Sequence, residues 1–214
     1  MSTFVILLGG ELHATPRLMS QVAGARVIAA DSGMDHAALL GVTPELWIGD
    51  FDSAEEDLLE RYKHVPREVF PVDKNMTDGE LAIAEALRRG ASDFILAGGF
   101  GGPRADHAFL HLTAAVSVAE TGIPVLLTSG KQEGYPVLHG ENRFDLPEGT
   151  LFSILPFTDL GGLTIAGAKW PLSEAAITFG SSRTMSNVSE GPLLVDLTSG
   201  RALLVAHPDP ASQF

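Results

Sequence analysis

Short apolar runs alternate with amphipathic stretches through the first part of the chain. Phe4–Leu8, Arg26–Ala30, Leu46–Ile48, Phe94–Ala97 and Val125–Thr128 read as buried strands, because parallel strands covered on both faces must be apolar almost throughout. The segments between them carry helix punctuation. Thr15-Pro16 pairs an N-cap with proline at the first helical position. Thr77-Asp78-Gly79-Glu80 has capping-box spacing, and Leu81, Ala84 and Leu87 follow on one helical face. Gly90 and Gly122 stand where helix ends take a left-handed residue. Strand–helix alternation at this pitch predicts a doubly wound, mostly parallel α/β domain.

Beyond about residue 132 the texture changes. Val137–His139, Arg143–Leu146, Leu151–Leu155, Leu163–Ile165, Ala176–Phe179, Leu193–Leu197 and Ala202–Ala206 are short strand candidates, separated by turns such as Pro147-Glu148-Gly149 and Gly161-Gly162. Regularly spaced strands without intervening helices predict a small C-terminal β-sandwich or barrel. Gly, Ser and polar residues cluster in Ser129–Tyr135, which sets the expected domains at 1–132 and 133–214. The sequence shows no internal repeat and no low-complexity segment.

Composition narrows the classes of function. With 14 Lys+Arg against 27 Asp+Glu, the 214-residue chain carries a formal net charge of −13. That balance argues against nucleic acid and against anionic membrane surfaces as partners, since both need clustered cations. Hydrophobic residues at 45% and charged residues at 19% are globular proportions. Without cysteine there are no disulfides, thiolate metal sites or Cys nucleophile. The first residues, Met1 to Leu8, have no basic flank and too short an apolar run for a leader or a span. The expectation is a soluble, cytoplasmic protein.

The acidic motifs add chemistry. In an extended chain Asp50 and Asp52 of Gly49-Asp50-Phe51-Asp52-Ser53 point the same way. They follow an apolar run, at the strand end where open α/β sheets place ligands. Paired hard oxygens suit Mg²⁺, which bridges to phosphate; a solvated turn accounts for the spacing equally well. A second cluster, Asp73-Lys74-Asn75-Met76-Thr77-Asp78, enters the capped helix, whose free N–H groups can hold phosphate oxygens. Asp78 also simply suits the helix dipole. Asp31-Ser32-Gly33 supplies another acid just past a strand. In Gly98-Gly99-Phe100-Gly101-Gly102-Pro103-Arg104-Ala105-Asp106-His107, backbone N–H groups and Arg104 can meet an anion. There Asp106 reads as base or ligand, and His107 as a donor or a packed residue. Unpaired carboxylates gathered at one edge repel unless a cation is bound. The residues therefore predict a Mg²⁺-dependent site for a phosphate-bearing ligand.

These motifs, in this order, resemble those of the thiamine pyrophosphokinase family. The likeness continues through Ser153-Ile154-Leu155-Pro156-Phe157, Gly167-Ala168-Lys169-Trp170-Pro171-Leu172 and Thr184-Met185-Ser186-Asn187, covering nearly the whole chain. It implies an N-terminal α/β domain, a C-terminal β-domain and a homodimer with active sites between subunits. The implied reaction transfers the pyrophosphoryl group of ATP to the hydroxyl of thiamine and releases AMP. By the same resemblance, Asp50, Asp52, Asp73 and Asp78 are the catalytic Mg²⁺ ligands, and Asp106 orients or deprotonates the attacking hydroxyl. Asp31, Ser32, Gly33, Thr77, Arg104 and His107 line the ATP site. Trp170, Ser186 and Asn187 hold thiamine, although core packing is an alternative for Trp170. Two positions depart from the family pattern: Pro103 interrupts the Gly-Gly that normally precedes the Arg-x-Asp-His motif, and Asn75 stands where an acid is common. Rival readings are a Mg²⁺-dependent nucleotide-sugar transferase using Asp50-Phe51-Asp52, and a non-catalytic thiamine or nucleotide sensor. The first leaves Asp73, Asp78 and Ser186-Asn187 unexplained; the second would have lost its acids.

Overall fold

A computed structural model describes residues 2–52, 55–69 and 75–208. The chain has a mixed α/β fold that divides into two compact units, Met1–Ala114 with Ile123–Gly130, and Ala115–Gly122 with Lys131–Phe214.

In the first unit the strands are β1 (Thr3–Leu7), β2 (Arg26–Ala30), β3 (Leu46–Gly49), β4 (Arg67–Val69), β5 (Asp93–Ala97) and β6 (Val125–Thr128). All pair in parallel, in the order β6-β5-β1-β2-β3-β4. Order reverses at β1, whose neighbours are β2 and β5, and the carboxyl ends around such a reversal form the crevice where open α/β sheets bind ligands. The intervening helices are α1 (Pro16–Val22), α2 (Asp35–Leu40), α3 (Glu56–Arg61), α4 (Asp78–Arg88) and α5 (Ala105–Ala119), the last of which runs into the second unit.

Side chains alternate across the sheet. Val5, Leu7, Val27, Ala29 and Trp47 pack with Leu18 of α1, Ala37 and Leu40 of α2, and Tyr62. Phe4, Ile6, Ile28 and Ile48 are buried as well, and α4 packs along β1, β2 and β3. Pro16 opens α1 behind Thr15, whose side chain accepts from the Leu18 N–H. Gly90 and Gly122 adopt positive φ, as expected of residues that close helices.

The second unit is antiparallel. Its strands are β7 (Glu133–Val137), β8 (Gly140–Phe144), β9 (Leu151–Pro156), β10 (Leu160–Ala168), β11 (Leu172–Ile177), β12 (Asn187–Leu197) and β13 (Ala202–His207). β13 lies between β7 and β9, and β10 between β11 and β12. The long β12 joins the two ladders: Asn187 and Val188 pair with β9, and its later residues pair with β8 and β10. Phe152, Ile154, Leu163, Ile165, Val195 and Leu204 fill the shared core. Among the described residues no helix is long and apolar enough to cross a membrane.

Candidate active site

At the carboxyl edge of the parallel sheet, Asp31 leaves β2 in the left-handed conformation with φ +48° and opens the 3-10 turn Asp31–Met34. The turn hugs β1 so closely that a Cβ on Gly33 would lie 2.1 Å from the Leu7 carbonyl oxygen. On the next strand, Gly49 passes Asp31 at close range; its Cβ would sit 3.4 Å from the Asp31 Cα. Asp50 follows, and its Oδ1 accepts a hydrogen bond from the Asp52 N–H at 3.2 Å. This Asx turn bends the chain through Phe51, whose φ of +63° is also left-handed. Thr77 caps α4: its Oγ1 accepts from the Glu80 N–H at 3.3 Å, and Glu80 Oε2 accepts from the Thr77 N–H at 2.8 Å. Asp78 is thereby fixed at the helix's first position.

Burial is the main reason that the Asp31 carboxyl titrates above its ordinary range. A hydrogen bond from the Ser32 backbone opposes the rise, and the charges of Asp78, Asp50 and Asp52 add to it. These acids thus act on Asp31 through space. No three Asp, Glu or His side chains among the described residues form a closed metal cage. Mg²⁺ does not need one, because it takes one or two carboxylates, retains waters and completes its shell with phosphate oxygens. The hard donors of Asp50 and Asp52, beside the crowded charge at Asp31, fit a site of that partial kind. Asp73 lies outside the described residues.

A cavity opens here, lined by Asp31, Ser32, Thr77, Asp78, Arg104 and His107 among others. Gly33 is buried and does not line it. Pro103 does line it, and Asn75 is exposed. Arg104 forks onto Asp106, with Nε–Oδ1 at 3.0 Å and Nη2–Oδ2 at 2.6 Å. That guanidinium holds the Asp106 carboxyl far below the usual carboxylate range, so Asp106 is a poor base for as long as the pairing lasts.

His111, which the motif reading overlooked, also lines the cavity one turn beyond His107, and the two rings meet edge to face at 6.3 Å. Burial, assisted by His107, lowers its pKa to about 4, so the ring is neutral at pH 7. Its Nδ1 is buried and finds no hydrogen-bond partner among the described residues. The i, i+4 spacing on a single helix face was the available signal.

In the second unit, Trp170, Arg183, Met185, Ser186 and Asn187 line another pocket. Trp170 is 54% exposed, so it is not a core residue. Lys169 Nζ lies 4.9 Å from the centre of its ring. Asn187 is buried and uses its amide on the backbone. Its Oδ1 accepts from the Trp170 N–H at 3.1 Å, and its Nδ2 donates to the Trp170 carbonyl at 2.8 Å. Ser186, at φ +57°, is exposed and donates its N–H to Ser153 Oγ at 3.0 Å.

Two family models match the chain: "Thiamin pyrophosphokinase, catalytic domain" over residues 21–127, and "Thiamin pyrophosphokinase, vitamin B1 binding domain" over residues 138–200. The chain is 31% identical over 192 residues to the thiamine pyrophosphokinase of Bacillus subtilis, covering 87% of this chain and 89% of that one. The chain belongs to the thiamine pyrophosphokinase family. As a thiamine pyrophosphokinase it forms thiamine diphosphate from thiamine. The crystal structure of the Bacillus subtilis enzyme superposes with a TM-score of 0.85 at 26% identity, over 97% of this chain and all of that one. The Candida albicans thiamin pyrophosphokinase, at 14% identity, shares the fold with a TM-score of 0.79 over 97% of this chain and 89% of that one. Every acid gathered around Asp31 falls inside the stretch matched by the catalytic model, and the Trp170 pocket falls inside the vitamin B1 stretch.

Proposed function

We propose that ATP is the pyrophosphoryl donor, that the products are thiamine diphosphate and AMP, and that the reaction depends on Mg²⁺. The observation that carries this reading is the crowding of Asp50, Asp52 and Asp78 charge around Asp31, beside a capped helix N-terminus in the catalytic segment. In the reaction a bond forms between the thiamine hydroxyl oxygen and the β-phosphorus. The bond from that phosphorus to the bridging oxygen breaks, AMP leaves with the oxygen, and the hydroxyl proton is released.

Asp50 and Asp52 are the proposed metal ligands, with Asp78 and, by the family resemblance, Asp73. Bound Mg²⁺ would neutralise charge on the phosphate oxygens, as in other phosphoryl transfers. The protein's own task is then mainly to position its groups. The α4 N-terminus offers N–H groups, and Ser32 its hydroxyl, to the nucleotide phosphates. Arg104 turns from Asp106 to a phosphate, and Asp106 orients the attacking hydroxyl. In the other pocket the open face of Trp170 takes a flat cationic ring, as its contact with Lys169 illustrates. Ser186 offers its hydroxyl to the pyrimidine edge, while Asn187 holds Trp170 in place. We also propose the homodimer implied by the family, which light scattering can test.

Incubation with ATP, Mg²⁺ and thiamine should yield thiamine diphosphate and AMP in equal amounts. ADP with thiamine monophosphate would overturn the proposed transfer, and turnover with other donors but not ATP would overturn the donor. Asp50→Asn and Asp52→Asn should each abolish turnover while the melting temperature stays near that of the parent; near-normal Mg²⁺-dependent rates in both would remove the metal assignment.

A further inference from the structure

Asp31 and Phe51 are the two non-glycine residues with positive φ among the described residues of the first unit. Such conformations are unfavourable for L side chains, most of all for a bulky aromatic, and persist only where the surroundings enforce them. One side chain touches both. Trp47, buried in the middle of β3, donates its Nε1–H to the Asp31 carbonyl oxygen at 2.9 Å. Its ring also meets that of Phe51 nearly at right angles, with centroids 4.9 Å apart.

Arg67, opposite Trp47 in the β3–β4 register, completes the arrangement. Its guanidinium lies 5.4 Å from the Trp47 ring centre and 5.7 Å from that of Phe51. It is held there by donating to the Leu59 carbonyl oxygen at 2.6 Å. The Asp31 turn and the Asp50-Phe51-Asp52 turn therefore share one rigid support. Core packing alone requires neither the indole hydrogen bond to a strained carbonyl nor an aromatic ring on a strained turn.

We infer that Trp47 is a positioning residue, which sets the geometry of the acidic edge by fixing Asp31 through its indole N–H and Asp50/Asp52 through Phe51. The inference rests on those acids binding metal and phosphate, and its test must separate the two claims. Trp47→Phe keeps an apolar ring but loses the N–H and shortens the reach to Phe51. Binding of Mn²⁺ together with a non-hydrolysable ATP analogue, measured by electron paramagnetic resonance, should weaken by about tenfold to a hundredfold, as metal sites do when their supporting contacts are removed. The kcat should fall by a similar factor with the thiamine KM unchanged. Phe51→Leu should give the same pattern, and the double variant little more, since both act through one turn. Phe51 is only half-buried, so this variant carries the test if Trp47→Phe fails to fold.

Leu18→Ala is the control: it opens the same apolar cluster from α1 and should lower stability without changing Mn²⁺ affinity. Unchanged Mn²⁺ affinity in Trp47→Phe and Phe51→Leu, or an equal loss in Leu18→Ala, overturns the inference. If the parent protein binds Mn²⁺ but makes no thiamine diphosphate, the reaction assignment fails, and Mn²⁺ affinity alone decides the role of Trp47. If the parent does not bind Mn²⁺, both claims fall.

Discussion

The same side chain does different work according to what surrounds it, and the carboxylates of the first unit show how far this goes. Asp31 is pushed toward protonation by burial and by neighbouring acids, whereas Asp106 is held ionised by Arg104. A cation would relieve the first; the second gives up its pairing only if Arg104 finds another anion. His111 is a third case. Its pKa falls from an ordinary 6.5 to about 4 because the protonated ring is poorly solvated where it is buried and is repelled by His107, while a backbone hydrogen bond with Gly99 opposes the fall. At neutral pH the ring is uncharged in both the folded and the unfolded chain. As pH drops, the unfolded chain takes up this proton first, so stability declines between pH 6.5 and about 4 and the contribution levels off below. Urea unfolding at neutral pH and at about pH 5 should show a smaller loss in His111→Asn than in the parent. Parallel losses in the two proteins would return the acid sensitivity to other groups.

At the scale of elements, the α4 N-terminus joins stability to chemistry. The capping box satisfies backbone donors and also fixes Asp78 and Gly79, which line the cavity. Thr77→Ala should destabilise the fold by about 1 kcal/mol, read as a lower melting temperature, and should raise the ATP KM more than the thiamine KM. Thr77→Ser should restore both; recovery of stability without recovery of the ATP KM would show that the cap does not serve the site. This cap was legible in the sequence because capping chemistry is local. The strands β1, β2, β3, β5 and β6 were legible for a similar reason, as each is a nearly unbroken apolar run. β4 was not: Arg67-Glu68-Val69 is a short edge strand with exposed ends, so no apolar pattern marks it. β12 was foreseen only from Leu193, because Ser189-Glu190-Gly191-Pro192 breaks the pattern where the strand passes between ladders. Acidic residues at strand ends announced the candidate site. The support supplied by Trp47 did not show, since its partners Asp31 and Arg67 are distant in sequence and meet only across paired strands.

For the molecule as a whole, the charge of −13 must be reconciled with a proposed substrate pair of opposite sign. A uniformly acidic surface repels ATP and attracts the thiamine cation, and neither effect requires direct contact. In the proposed site the acids of the first unit would reverse the sign for ATP only locally, at the range of a metal–phosphate contact, where salt screening is weak. Attraction of thiamine operates over the wider field, which ionic strength screens beyond about 8 Å at physiological salt. The two substrates should therefore respond differently to added KCl at saturating Mg²⁺. As salt rises from low to physiological ionic strength, kcat/KM for thiamine should fall, while kcat/KM for ATP holds steady or increases as long-range repulsion is screened. Initial rates with one substrate saturating and the other varied measure each response. An equal decline for both would mean that the net charge does not act through approach and that salt instead weakens the site itself. A fall confined to ATP would mean that the acidic edge presents positive rather than negative potential to the incoming nucleotide.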